Sequence, residues 1–389
     1  MLGFNRLPRS AKMLIIYYSL YMIPTVVDIY LIIYLLYLGM SIEKLGYLYS
    51  AYFAFIAISK YFVGKALDKF LPPKYVMIVV DITSSAYYFL LSISKSFEDF
   101  LIAVSIDGII SPLYVSYGAI ERDIFPEELS DVAYRNVYFW PFLTESILFL
   151  MIGYILETCG IDSYSKIALF TSAFCIILAL YVFLTIPKTR PPRIEKKKVR
   201  IVNKALILFF IGSTIMVASY GIAPIFIVEN YLFNNLGMRP IFFALFYFIG
   251  SFSGMLAPIL HKKLDRLRGG LRISFAIILS SFSSAIILLI NYDYLLIPLI
   301  FISIFYLSDA LFWMQHDSFT LRAVPKERRG ETYGFLGMLK DFLLIPMPII
   351  AVILAKSMYF LPFIVRSIMI LFIIPFYMLG VKYLPKEKI

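Results

Sequence analysis

From Met13 to Leu38 the chain runs through 26 residues whose only charge is Asp28. As a helix, at 1.5 Å per residue, this run is about 39 Å long, more than the roughly 30 Å hydrocarbon core of a bilayer. Runs of the same kind recur along the whole sequence, separated by short stretches of glycine, proline and charge. A soluble domain has no means of burying so many helices that are apolar on every face. The pattern therefore confines the chain to an all-α, polytopic membrane protein. Composition agrees: 61% of residues are apolar and 16% charged, against about half and a quarter in soluble domains. The first run is too long for a signal-peptide core and no small-residue cleavage site follows it, so it is expected to be a retained span.

Twelve spans are expected, near 12–38, 45–64, 75–95, 99–120, 133–156, 164–186, 204–233, 240–260, 272–291, 294–320, 332–355 and 360–384. The one long polar connection falls at mid-chain. It divides the chain into a six-helix half over 1–187, a basic cytoplasmic linker over 188–204 and a second six-helix half over 205–389. With the N-terminus inside, the outer loops hold only Lys44, Lys95, Lys166, Arg239 and Lys356, and most of the 36 Lys and Arg face the cytoplasm. The positive-inside rule then places both termini in the cytoplasm of a multi-pass plasma-membrane protein. The net charge of +11 is explained by this topology and by contact with anionic membrane lipid, so no nucleic-acid partner is implied.

Two cysteines, Cys159 and Cys175, and two histidines, His261 and His316, support neither a disulfide framework nor a metal site, and no cofactor is expected. A nucleotide-driven pump would need a GxxxxGK[ST] loop, and a membrane enzyme an HExxH helix or aspartate-rich metal loops; neither pattern occurs.

The halves carry matching landmarks. Leu38-Gly39-Met40 recurs 198 positions on as Leu236-Gly237-Met238, Asp68 recurs 197 on as Asp265, and Pro126 recurs 199 on as Pro325. Tyr21, Pro24, Asp28 and Tyr30 are echoed by Tyr220, Pro224, Glu229 and Tyr231. Three unrelated loops sharing one offset point to duplication, and parallel six-helix repeats are the layout of one transporter fold.

At this point the sequence resembles the major facilitator superfamily. That family's loop between its second and third helices reads Gly, three residues, Asp, a basic residue, one residue, Gly; here Gly64, Asp68 and Lys69 match. Leu71-Pro72-Pro73 follow where the second Gly would stand. In the other half Asp265 and Arg266 match, but His261 replaces the Gly. LGMSIEKLGYLYS after the first span, and Pro325, Arg328, Gly330 and Gly334 before the eleventh, are similar to family patterns. The resemblance covers the whole chain and says little about substrate. An Arg in the fourth span and a Gly-Pro-rich fifth span, both usual in drug antiporters, are missing: Asp107-Gly108 and Trp140-Pro141 stand there. The resemblance implies that helices 1, 4, 7 and 10 line a central cavity. It also implies that Asp68 and Asp265 close the cytoplasmic side, with Arg328, Arg329 and Lys69 as charge partners and Gly64, Arg266 and Gly330 beside them.

A charge inside a span costs roughly 2.5–3.5 kcal/mol on insertion scales unless it faces protein or water, so each one is a functional candidate. Tyr17, Tyr21, Pro24 and Asp28 form one helical stripe, as do Asp107, Ser111, Tyr114 and Gly118, and Tyr306, Asp309, Trp313 and His316 or Asp317. Asp28 lies 11 residues before Gly39, Asp107 lies 19 before Pro126 and Asp309 lies 16 before Pro325, which places all three near mid-bilayer. A carboxylate whose hydration changes as such a cavity opens and closes meets the physical requirement for proton coupling. Glu145, Lys340 and Asp341 form a second set, with contact to solute or a structural ion pair as alternatives. Arg366 is expected to be structural or to snorkel, and Glu229 to face the outer vestibule. Tyr21, Tyr114, Tyr220, Trp140 and Trp313 are candidates for an aromatic cage.

The expected function is secondary active transport of a small solute by alternating access, coupled to protons, by a chain acting as a monomer. Uptake by symport and efflux of a drug or metabolite by antiport stay open. A non-transporting membrane sensor and a polytopic membrane enzyme are the alternatives from other classes.

Overall fold

The computed structural model describes residues 3–70, 72–188, 204–264, 267, 269–323 and 329–384. Among them every regular element is helical. Ten helices are long and apolar enough to cross a membrane: α1 (Arg9–Tyr37), α3 (Pro73–Ile93), α5 (Val132–Cys159), α6 (Ile161–Thr185), α7 (Lys204–Asn235), α8 (Pro240–Leu264), α9 (Gly269–Leu289), α10 (Leu296–Thr320), α11 (Gly337–Ser357) and α12 (Leu361–Lys382). Two further helical segments stand where the second and fourth spans are expected. They are α2 (Ile42–Phe70) and α4, built from Phe97–Ile110, a 3-10 turn Ser111–Tyr114 and Val115–Ile124.

The lipid-facing surface follows from the sequence pattern. On α6 Ala168, Thr171, Cys175, Leu178 and Val182 are buried at spacings of three and four, while Phe170, Ile177, Leu180 and Leu184 on the other face are exposed and wholly apolar. The helix is apolar all round because one face meets protein and the other meets lipid.

Prolines break the helices where carbonyls are needed. A proline has no N–H for the carbonyl four residues before it. α1 is interrupted at Tyr21 by Pro24, and α12 at Phe372 by Pro375. Pro112 converts the middle of α4 to a 3-10 turn and frees the Gly108 carbonyl, which instead accepts the Ser59 hydroxyl of α2 at 3.1 Å. α7 breaks at Pro224 and ends in a π-helical turn over Tyr231–Asn235.

Backbone contacts divide the chain into two units. The first comprises Met1–Pro192 with Val228–Phe248, and the second Arg193–Ile227 with Ile249–Ile389. In the first, α1 packs on α5 and α6, α2 on α4, and α3 on α4 and α6. In the second, α7 packs on α11 and α12, and α9 on α10 and α12. The pairing of a first helix with a fifth and sixth, and of a third with a sixth, is thus present in both.

Both copies of the Leu-Gly-Met landmark turn at a left-handed glycine. Gly39 has φ 78° and Gly237 φ 62°, each ending a helix in the left-handed region with nothing within 4 Å of where a Cβ would stand. At the first copy the N–H of Met40 bonds the carbonyl of Leu35 and that of Gly39 the carbonyl of Leu36; at the second, Met238 bonds Leu232. Conformation rather than space therefore requires glycine here. Gly39→Ala and Gly237→Ala should each cost about 1–2 kcal/mol, read as a lower thermal midpoint in detergent; a midpoint equal to wild type would show that the turns tolerate a side chain.

Candidate functional site

In the first unit the acids expected at mid-bilayer are held by tyrosines. Asp28 follows the α1 break, and its two carboxylate oxygens accept from neighbouring hydroxyls of α3: Tyr87 at 3.0 Å and Tyr88 at 2.7 Å. The Tyr88 hydroxyl also lies 2.8 Å from the Pro24 carbonyl. One hydroxyl has one proton, so Tyr88 donates either to the carboxylate or to the carbonyl. With Asp28 ionised it donates to Asp28; with Asp28 protonated the acid donates to Tyr88, which turns its own proton to Pro24. The group that acts on Asp28 by its charge is another acid, Asp107.

Asp107 is held by Tyr52 of α2 and Ser111 of its own helix, whose hydroxyls are 3.0 Å apart. Gly108 lets α2 come this close. A Cβ there would stand 2.8 Å from the Phe55 Cβ and 3.0 Å from the Tyr52 carbonyl oxygen. Tyr21 and Tyr114, both expected at the site, are bonded hydroxyl to hydroxyl.

Three groups of this unit were not legible at their true places. Asp81 of α3 is fully buried and accepts from Tyr17 at 2.8 Å; it meets the criterion of a charge within a span and is absent from the expected set. Tyr87 and Tyr88 carry no charge to draw attention in a chain with 30 tyrosines. Glu229, expected in an outer vestibule, is instead fully buried and accepts from Tyr247 of α8. It follows the α7 break and shares with Asp28 the neighbouring ring of Tyr49.

The second unit has its own acid. Asp309 of α10 accepts from the Tyr220 hydroxyl of α7 and, at 3.0 Å, from the Trp313 indole one turn along. Arg366 of α12 is the largest fully buried side chain, which excludes snorkelling. Its guanidinium lies 5.1 Å from the Tyr220 ring centre and 4.5 Å from that of Phe305, and Asp309 is its electrostatic partner. An arginine stays here because two ring faces and a carboxylate replace its water. Its Nη2 lies 3.4 Å from the Ser280 hydroxyl.

The other candidates are distributed around these groups. His316 is buried with Nδ1 2.6 Å from the Tyr377 hydroxyl, whereas Asp317 is exposed, so only the first stays on the inner face of α10. Lys340 lies 5.6 Å from the Phe210 ring centre and acts on His316 by its charge. Glu145 and Asp341 are buried. Trp140 departs from the expected cage: it is 38% exposed, packs edge-on to Phe4 and donates to Asn136 at 3.1 Å, away from Tyr21 and Tyr114. The gate residues Asp265, Arg266 and Arg328 lie outside the described residues. Of Gly64, Asp68, Lys69 and Gly330 only the helical backbone is described.

The comparisons with known proteins agree with this architecture. The sequence model of the Major Facilitator Superfamily matches residues 13–348. The human organic anion transporter MFSD10 (TETRAN) has a similar structure, with TM-score 0.70 at 13% identity, covering 95% of this chain and 99% of that one. A D323A mutant of the nucleoside transporter NupG follows with TM-score 0.68 at 12% identity, covering 95% and 98%. At these identities the likeness is one of fold. No curated protein matches the chain in sequence.

Asp309 and Arg366 should behave as one unit in stability. Asp309→Asn or Arg366→Met alone leaves the other group buried with less compensation, at a cost on the order of 3 kcal/mol. The double variant should recover more than half of the loss in thermal midpoint; strictly additive losses would show that the two are not coupled.

Proposed function

The chain belongs to the major facilitator superfamily, and we propose that within it the protein is a proton-coupled secondary transporter of a small solute, working by alternating access. It is a multi-pass membrane transporter and not an enzyme. The proposal adds the coupling ion and the residues that carry it: Asp28 and Asp107 in the first unit exchange the proton, and Asp309 with Arg366 is the charged group of the second. On the positive-inside count we place it in the cell membrane with both termini cytoplasmic, in contact with lipid and acting as a monomer. Asp68 and Asp265 with their basic neighbours are assigned to the cytoplasmic gate.

The observation that supports proton coupling is the bonding of Asp28. A carboxylate that serves only as structure is held in one protonation state by fixed donors. Tyr88 instead has two acceptors for one proton, the Asp28 carboxylate at 2.7 Å and the Pro24 carbonyl at 2.8 Å. The site thus keeps its hydrogen bonds satisfied in either state, so losing a proton leaves no orphaned donor and gaining one leaves no orphaned acceptor. Asp107, the charge nearest in effect, makes ionisation of both acids at once unfavourable. A single proton shared by two acids is readily exchanged when the hydration of the site changes.

The solute is to be found first, by a thermal-shift screen of sugars, amino acids, organic acids and lipophilic cations. Purified protein in sealed vesicles should then accumulate it when a pH gradient is imposed. A gradient of about one unit supports up to about tenfold accumulation for one proton per solute. Equal accumulation with and without the gradient would refute coupling. Asp28→Asn and Asp107→Asn should each abolish gradient-driven accumulation while leaving exchange of solute across the membrane; if both retain accumulation, the assignment of these residues is wrong.

A further inference from the structure

Asp81 is a fully buried acid that the site described above does not use. It lies eight residues into α3 from Pro73, about 12 Å along the axis, and six residues before Tyr87, about 9 Å. It has no exposed surface. Its Oδ1 accepts from Tyr17 at 2.8 Å, and its Oδ2 is buried with no hydrogen-bond partner. Around it the core is apolar, formed by Leu14, Met77, Ile120 and Leu178 among others. The titratable groups that face it are Tyr17 and Tyr21 of α1, Tyr117 of α4 and Cys175 of α6. Among the described residues no Lys, Arg or His pairs with it.

A carboxylate with one donor, one bare oxygen and no cation has no compensation for leaving water, whereas a carboxylic acid needs only one partner for its proton. Tyr17 is that partner, and it continues into a chain of phenols. Its hydroxyl lies 2.9 Å from that of Tyr117. The Tyr117 ring centre is 5.4 Å from that of Tyr114, and Tyr17 is 5.9 Å from Tyr21. Tyr114 is bonded to Tyr21, and its neighbouring charge is Asp107. The two hydrogen-bonded pairs, Tyr17–Tyr117 and Tyr21–Tyr114, thus meet ring to ring, the second of them beside Asp107.

We propose that Asp81 is a second proton-carrying acid of the first unit, and that Tyr17 and Tyr117 pass its proton to water that connects it with Asp28–Asp107. In one step the Asp81 O–H proton passes to the Tyr17 oxygen while the Tyr17 proton passes to Tyr117 and the Tyr117 proton passes to a water molecule admitted beside Tyr114. Each phenol ends neutral, Asp81 is left as carboxylate, and one proton has moved toward the mid-membrane acids. The reverse step reloads Asp81. On the expected topology this acid stands on the cytoplasmic side of the pair, so it is the group through which a proton from Asp28–Asp107 would leave.

The relay rests on the proton-coupled reading, but the protonation of Asp81 does not, and the two are measured separately. Infrared difference spectra of the full-length protein in lipid, recorded on exchange into heavy water at neutral pH, should show the carbonyl band of a protonated, buried carboxylic acid. Asp81→Asn should remove one such band, and Tyr17→Phe, which deletes only its hydrogen bond, should shift that band. If folded Asp81→Asn keeps every band of the wild type, Asp81 is not a proton carrier. If that variant does not fold, an unshifted spectrum for Tyr17→Phe overturns the proposal by itself. With a solute in hand, Asp81→Asn should slow gradient-driven uptake by about tenfold or more while the solute still raises the thermal midpoint. Unchanged uptake overturns the relay and leaves Asp28 and Asp107 to be judged by their own variants.

Discussion

An ionisable group in a bilayer must find in the protein what it loses from water, and in this chain the replacement is nearly always an aromatic side chain. Asp28 has the hydroxyls of Tyr87 and Tyr88, Asp107 that of Tyr52, Asp81 that of Tyr17, Glu229 that of Tyr247 and Asp309 that of Tyr220. Arg366 has the ring faces of Tyr220 and Phe305. A phenol suits this role because its ring packs with apolar helices while its hydroxyl donates or accepts. It also carries no charge of its own, so it satisfies a carboxylate without fixing it in the ionised state as an arginine would.

The two units use this device differently. In the first, Asp28 and Asp81 accept from tyrosine hydroxyls. In the second, Asp309 accepts from Tyr220, whose ring also receives the Arg366 guanidinium. The duplication that left equivalent left-handed glycines at Gly39 and Gly237 has thus been followed by divergence of the charged interior.

The fold was largely legible because its determinants are local in the sequence. Apolar runs longer than a bilayer dictate spans, and the Leu-Gly-Met offset exposes the repeat. Helix breaks follow Pro24, Pro112, Pro224 and Pro375 by the loss of a single donor. Tyr21 of the first helix meets Tyr114 of the fourth, and Asp309 of the tenth meets Trp313 on its own helix and Tyr220 of the seventh. What the sequence could not show was which uncharged residue on another helix meets a given acid. Tyr87 and Tyr88 are separated from Asp28 by about 60 positions, and nothing distinguishes them from tyrosines that face lipid. Arg366, expected to be structural or to snorkel, is held in the interior by the rings of α7 and α10 with Ser280 of α9 beside it, which excludes the second alternative. Trp140, grouped with the cage by its position, instead donates its indole N–H to Asn136 on the same helix.

The claim on which these parts converge is that binding of solute and of proton are linked. The most direct measurement is the number of protons exchanged when solute is added to detergent-solubilised protein in weakly buffered solution, followed with a pH indicator dye and repeated across neutral pH. Linked sites should take up or release a measurable fraction of a proton per solute bound, changing with pH as the acids titrate. A pH trace that stays flat at saturating solute, at every starting pH, would contradict it.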